Sequence, residues 1–288
     1  MVQLKKKRSS TGSWVAGVLV IAALAAGAWL WWKATPGARQ GTAIVSSTPA
    51  IASSARPATA SSAIHYPIAQ APAAASSAPL PALDASDTAV VDGLLALAGT
   101  PGLDGLLRRD QVIRRIVATV DALPRQGVNP EILPLHGPKG SFLVEQADGK
   151  LALSPRNAAR YAPYMQVLEH VEPQALVAWY VQHYPLFQQA YRELGYPQGY
   201  FNDRLVQAID DMLAAPVPDA PVALVQPKVF YRYVDPDLEA RSAGQKLLMR
   251  LGADDEARVK AKRRSIRALL VAQHAPAAAA SRANGAQQ

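Results

Sequence analysis

The sequence contains no cysteine among its 288 residues. Disulfides, thiolate metal sites and cysteine nucleophiles are therefore excluded, and any folded region must be held together by packing. It also lacks the phosphate loop, the dinucleotide fingerprint, the serine elbow and the paired-histidine zinc motif of common enzyme classes. Its five histidines never stand four residues apart, the spacing of metal ligands on one helix. We expect no cofactor and no metal site, and we assign no catalytic residue.

Acidic residues are absent from both ends of the chain. None occurs before Asp84 or after Glu256, whereas residues 84–273 carry equal numbers of acidic and basic residues. The net charge of +8 therefore comes from cations outside that region, and no nucleic-acid-binding domain is expected. These cations are Lys5, Lys6, Lys7, Arg8, Lys33, Arg39, Arg56 and Arg282.

One long uncharged run stands near the start of the chain, from Trp14 to Trp32. As a helix it is roughly 28 Å long, about the thickness of a bilayer's hydrocarbon core. Tryptophans at both ends suit the two headgroup levels, and the cations that precede the run favour a cytoplasmic amino terminus. The pattern predicts a single membrane span at 14–32, a basic cytoplasmic tail at 1–13 and export of the rest.

A cleaved secretory signal is the competing interpretation of this run. Ala23-Leu24-Ala25 and Ala26-Gly27-Ala28 are small-residue sequences of the kind found at cleavage sites. The apolar run continues past both of them to Trp32, which favours a retained anchor. Both interpretations export the remaining chain.

Two stretches have the composition of disordered chain. Residues 33–82 are rich in Ala, Ser and Pro, and such a segment buries too little apolar surface to offset its ordering entropy. We predict a disordered linker there and a disordered tail at 273–288. His65-Tyr66-Pro67 interrupts the linker and is either a short docking motif or sequence drift, and we favour drift.

Residues 84–272 predict one mainly α domain of about seven helices. Val112, Ile113, Ile116, Val117 and Val120 form one apolar face, and other segments repeat this pattern. Asp148-Gly149 between two alternating segments predicts a small antiparallel β-hairpin. Residues 227–233, rich in aromatic and β-branched residues, predict a further strand that joins it. Cations crowd the last helix, where we expect a solvated face.

The most informative stretch contains aromatic residues at helical spacing, followed by a tight connection. Tyr180, Tyr184, Phe187 and Tyr191 form a stripe that is typical of a core, or less often of a groove for a glycan or peptide. Gly195 ends that helix, and Asn202 is the expected cap of the next.

The connection between these two helices is the candidate binding site. It gathers aromatic side chains on a rigid turn next to an arginine, as interface anchors require. The alternative is that Tyr196 and Phe201 simply staple the two helices. The predicted binding residues are Tyr196, Tyr200, Phe201 and Arg204.

Asp203, Asp210 and Asp211 are the only carboxylates that suggest acid–base chemistry. We expect them to be solvent-exposed, which denies them the raised pKa of a catalytic acid. They nevertheless define the alternative function, a cell-wall hydrolase or transglycosylase with the aromatic stripe as its substrate platform.

Five segments resemble a known family, the bacterial proteins catalogued as domain of unknown function 3014. They are VDALPR (120–125), RYAPY (160–164), YPLFQQAYRELGYP (184–197), GYFNDRLVQAID (199–210) and DPDLEARSAGQKLLMRLG (235–252). The resemblance implies an anchor, a linker and an envelope domain, as in single-span proteins of proteobacteria, and it implies no activity. Ala122 stands where the family often has Asn.

The sequence therefore predicts a membrane-anchored envelope protein with a non-catalytic binding or scaffolding domain. The anchor lies in the bacterial inner membrane and the domain in the periplasm. Its expected partners are the membrane and another envelope protein or the cell wall.

Overall fold

The computed structural model describes residues 65, 66, 68, 80–99, 102–147, 149–218 and 221–273. The predicted tail at 1–13, the span at 14–32, most of the linker and nearly all of the tail at 273–288 lie outside these residues. Among the residues described, no helix is both long and apolar enough to cross a membrane.

The described residues confirm a mainly helical domain with a small antiparallel hairpin. Short 3₁₀ segments lie at Leu83–Ala85, Pro130–Ile132 and Pro155–Tyr161. The strands are β1 (Val144–Ala147), β2 (Lys150–Leu153), β3 (Leu224–Val225) and β4 (Arg232–Tyr233). The helices are α1 (Asp87–Ala98), α2 (Val112–Ala122), α3 (Ala162–His170), α4 (Pro173–Glu193), α5 (Phe201–Leu213), α6 (Pro236–Glu239), α7 (Ala243–Leu251) and α8 (Ala253–Ala272).

The core lies between α2, α4, α5 and α8, which contact one another, while α7 packs on α5 and α8. All five residues of the predicted α2 face are at most 1 % exposed, as their helical spacing requires. The aromatic stripe of α4 is also core, with Phe187, Tyr180 and Tyr191 buried. Pro185 lies inside α4, which continues through it as one helix.

The predicted hairpin is antiparallel and pairs β1 with β2, with Val144 opposite Leu153 and Ala147 opposite Lys150. The predicted strand at 227–233 is wrong in extent, because only Arg232 and Tyr233 pair, and they pair with β3. An isolated bridge between Ala152 and Ala223 connects the two strand pairs. A small second core of Leu153, Val222, Leu224, Tyr233 and Met249 lies beneath them.

The solvated face that we predicted for the cations of α8 is only partly correct, because two of them are buried. Lys260 is buried and lies 2.7 Å from Glu256, which is itself 1 % exposed. Arg263 is fully buried, and burial lowers its pKa to about 9. The buried cations lie on the side of α8 that packs against α4, α5 and α7, while Arg258 and Arg264 remain exposed.

Candidate functional site

The connection between α4 and α5 is the site that the sequence singled out. Gly195 takes a positive φ of 116°, which a glycine adopts without steric cost. Tyr196 then folds back onto Tyr191, with ring centroids 4.6 Å apart and the rings nearly parallel. A Cβ atom on Gly199 would lie 2.9 Å from the Tyr191 ring, so this position has room only for glycine.

Gln188 of α4 fixes the end of this connection. Its side-chain amide donates to the Gly199 carbonyl at 2.8 Å, and its oxygen accepts from the Phe201 backbone N–H at 2.9 Å. The Tyr184 hydroxyl donates to the same oxygen at 2.8 Å. A buried glutamine thus satisfies backbone groups where α5 begins, a role that its sequence position did not reveal.

Phe201 belongs to the core and not to the surface. It is 1 % exposed, and its ring stacks on Phe187 with centroids 5.6 Å apart. Phe201 therefore packs between the two helices, as the structural alternative predicts.

Arg204 forms an ion pair within the domain. Its Nε donates to the Asp121 carboxylate of α2 at 2.9 Å, and the pair is largely buried. The Tyr196 hydroxyl donates to the same carboxylate at 3.3 Å, and Arg125 also pairs with it. Asp121 therefore ties the connection to α2, so that Tyr196 and Arg204 have structural partners.

Tyr200 is half-buried and lines an open groove of about 470 Å³ along α5. Asp203, Arg204, Gln207 and Asp210 form much of its polar wall. His65 and Tyr66 form part of its lining as well, so a segment of the chain itself borders the groove. Of the four predicted binding residues, Tyr200 is therefore the one whose placement suits an external contact.

The His65–Tyr66 segment docks on the start of α5 through its backbone. The N–H groups of His65 and Tyr66 donate to the two oxygens of Asp203, at 3.1 and 2.8 Å. The Asn202 side chain donates to the Tyr66 carbonyl at 2.8 Å. One carboxylate and one amide thus satisfy three backbone groups of a segment that bends at both residues.

Two predictions are corrected by this contact. The interpretation of His65-Tyr66-Pro67 as drift in an undocked linker is wrong for the described residues His65 and Tyr66. Asn202 was expected to cap α5, but the helix begins at Phe201 and Asn202 is fully buried. Its side chain instead donates a hydrogen bond to the docked segment and accepts one from the Tyr180 hydroxyl at 3.3 Å.

Side chains of the docked segment also contact the domain. Tyr66 and Ile68 are half-buried and pack against the main core. Arg267 on α8 donates hydrogen bonds to Asp210 that raise the pKa of its guanidinium, and the Tyr66 hydroxyl adds to this rise. The segment is therefore held by polar and apolar contacts together.

The three carboxylates of the hydrolase hypothesis are each engaged in a different contact. Asp203 holds the docked segment, and Asp210 accepts from Arg267 Nη2 at 3.0 Å. Asp211 accepts from the Ser242 hydroxyl at 2.6 Å and from the Gln245 amide. Burial raises the pKa of Asp211, and it is half-buried where exposure was expected.

The proposed aromatic platform is buried as well. Tyr180 is 3 % exposed, and burial raises the pKa of Tyr191 to about 12. The contacts of the described residues therefore give the hydrolase hypothesis no support. No group of histidines and carboxylates suited to a metal ion occurs in the part of the chain that the structure describes.

Comparison with known proteins identifies a family. No curated protein and no solved structure matches the chain. The family model described as "protein of unknown function (DUF3014)" matches residues 112–267, a range that runs from α2 into α8 and includes the whole connection between α4 and α5. The chain therefore belongs to the DUF3014 family.

Proposed function

We propose that this protein is a membrane-anchored module of the bacterial envelope whose helical domain binds short protein segments through their backbone, without catalysis. The observation that carries the proposal is the recognition of the His65–Tyr66 backbone by Asn202 and Asp203. These contacts involve the peptide backbone, which every protein segment has. A segment of another envelope protein can therefore follow the same path along the groove.

The chain's own segment acts as a competitor for this site. Only residues 69–79 separate Ile68 from the described start of the domain at Leu80. A connection of this length gives an effective concentration on the order of 1 mM, so a weak intrinsic affinity suffices to keep the site occupied. A partner segment must bind more tightly than the linker to displace it.

Peptide binding to a chain with a weakened internal segment tests this proposal. The probe is a fluorescein-labelled peptide of residues 62–70, and the full chain in detergent carries Tyr66→Ala. We expect tighter peptide binding than to the unaltered chain, measured by fluorescence anisotropy. Adding Asp203→Asn should weaken binding at least ~10-fold, because an amide offers one acceptor oxygen where the carboxylate offers two and loses the charge.

Asp254→Asn is the matched control, since Asp254 is an exposed carboxylate on α8. It should leave the peptide affinity unchanged. Equal binding to the Asp203→Asn and Asp254→Asn chains would contradict the proposed site. If the Tyr66→Ala chain recovers cell-wall fragments and no protein, the partner is the cell wall and not another protein.

The membrane topology has its own test. Alkaline phosphatase fused after Gln288 should be active in a bacterial host, because the positive-inside bias exports everything after Trp32. β-Galactosidase fused at the same place should be inactive. Deleting residues 14–32 is the control and should reverse both results. The reversed pattern in the intact chain would show that the domain is cytoplasmic.

A further inference from the structure

A second cavity, of about 590 Å³, opens between the loop that follows α2 and the helices α6 and α7. It is distinct from the groove that Tyr200 lines, because no described residue lines both. Its volume falls within the range of small-molecule sites, about 300–1,000 Å³. The proposed peptide-binding function does not use this cavity.

Basic residues dominate its charged lining. Among the described residues that line the cavity are the cations Arg232, Lys246 and Arg250 and one acid, Glu239. Lys246 Nζ lies 3.6 Å from Glu239 Oε1, and its side chain is 9 % exposed. Burial lowers the pKa of Lys246, and Arg250 and Arg232 lower it further while Glu239 opposes them. The cations thus lie close enough to affect one another.

These groups are held in place by the surrounding fold. The second Glu239 oxygen accepts from the Tyr233 backbone N–H at 3.1 Å, so the acid is shared between β4 and the cavity. The Arg250 guanidinium lies 5.8 Å from the centre of the Phe142 ring and interacts with Tyr233. Lys246 and Arg250 lie one turn apart on α7, so their positions relative to each other are fixed by the helix.

The rest of the lining is largely apolar. Its apolar members are Val128, Phe230, Pro236, Ala240 and Ala243. A site with both charged and apolar lining suits a ligand that carries an anionic group on an organic body.

We propose that this cavity binds a phosphate monoester, with the phosphate between Lys246, Arg250 and Arg232 and the organic part against the apolar lining residues. The three terminal oxygens of a monoester can accept from three cationic side chains, whereas a carboxylate offers only two oxygens. Lysine and arginine are both common phosphate ligands, and arginine offers two parallel donors to its oxygens.

Titration calorimetry with the full chain in detergent tests the ligand class. The probes are phenyl phosphate, inorganic phosphate and benzoate, at low and high sodium chloride. We expect phenyl phosphate to bind most tightly, inorganic phosphate more weakly because it lacks the apolar part, and benzoate most weakly. Added salt should weaken phosphate binding. Benzoate binding as tightly as phenyl phosphate, or no heat from either phosphate, would overturn the proposal.

Charge variants test the site. Lys246→Gln and Arg232→Gln should each weaken phenyl phosphate binding at least ~10-fold, because each removes a charge-assisted contact. Glu239→Gln should strengthen it, since it removes the one repulsive charge. Arg264→Gln, on the exposed side of α8, is the control and should change nothing.

Thermal unfolding of each variant separates loss of binding from loss of fold. Arg232 is exposed, so its variant should unfold at the temperature of the unaltered chain and remains informative where Lys246→Gln does not fold. Unchanged affinity in the Arg232→Gln and Glu239→Gln chains would place phosphate binding elsewhere and overturn the assignment.

Discussion

Replacing Phe201 by alanine should lower the free energy of unfolding by about 3–5 kcal/mol, the usual cost of removing a fully buried phenylalanine. The Phe201 ring lies among Phe187, Tyr180 and Tyr191, with centroid distances of 5.6, 6.3 and 5.7 Å. Removing it leaves a cavity where α4 and α5 meet, and these rings cannot all move to fill it. Urea unfolding followed by circular dichroism measures the loss.

The preceding residue provides the matched comparison. Tyr200→Ala should change the free energy of unfolding by no more than about 0.5 kcal/mol, because Tyr200 is half-buried at the rim of the groove. It should instead weaken binding of the labelled peptide to the Tyr66→Ala chain. A loss of less than 1 kcal/mol for Phe201→Ala would show that the ring is accessible, and the original interpretation of it as a binding residue would return. A large stability loss for Tyr200→Ala would contradict the assignment of Tyr200 as a binding residue.

Features set by neighbours along the chain were predictable from the sequence. The face of α2 follows from 3.6-residue spacing, and Gly99 ends α1 in the left-handed conformation expected of that residue. Asp235 stands directly before Pro236, a pattern typical of a helix start, and it caps α6 by accepting from the N–H groups of Asp237 and Leu238. Each of these features depends on groups within one or two helical turns.

Features set by distant partners were not predictable in this way. The start of α2 is capped by Asp87 of α1, whose carboxylate accepts from Gln111 and Val112 at 2.7 and 2.9 Å. No local pattern pairs residues this far apart. Arg263 is a stronger case, since it stands within a run of exposed-looking cations and yet is fully buried. Which side of α8 faces inward is decided by α4, α5 and α7 together.

The candidate site contains both kinds of feature, those set by neighbours along the chain and those set by distant partners. The sequence located the connection between α4 and α5 correctly as a rigid turn rich in aromatic residues. It did not show that Phe201 faces inward, that Arg204 is paired with Asp121, or that the linker returns to the start of α5. The signal that was available is the pair Asn202-Asp203 at a helix start, where polar side chains are free to accept and donate backbone hydrogen bonds. From the sequence alone, the same pattern predicts that Asn202 caps α5 itself.

The ion pair between Asp121 and Arg204 provides the second large effect. Asp121→Ala should lower the free energy of unfolding by about 2–4 kcal/mol, because it leaves a largely buried guanidinium without its carboxylate. The cost is at the lower end for buried pairs, since Arg204 keeps a hydrogen bond to Gln207 Oε1 at 2.7 Å. Urea unfolding measures it.

A double-mutant cycle separates the pair from its surroundings. Arg204→Met in the Asp121→Ala chain should restore part of the lost stability, because it removes the uncompensated charge. Arg125→Ala is the control, since Arg125 contacts the same carboxylate but its side chain is 56 % exposed, so its loss should cost no more than about 1 kcal/mol. If Asp121→Ala costs as little as this control, Arg204 does not depend on Asp121 and is free to turn toward a partner. The connection between α4 and α5 would then bind through its arginine as well as through Tyr200.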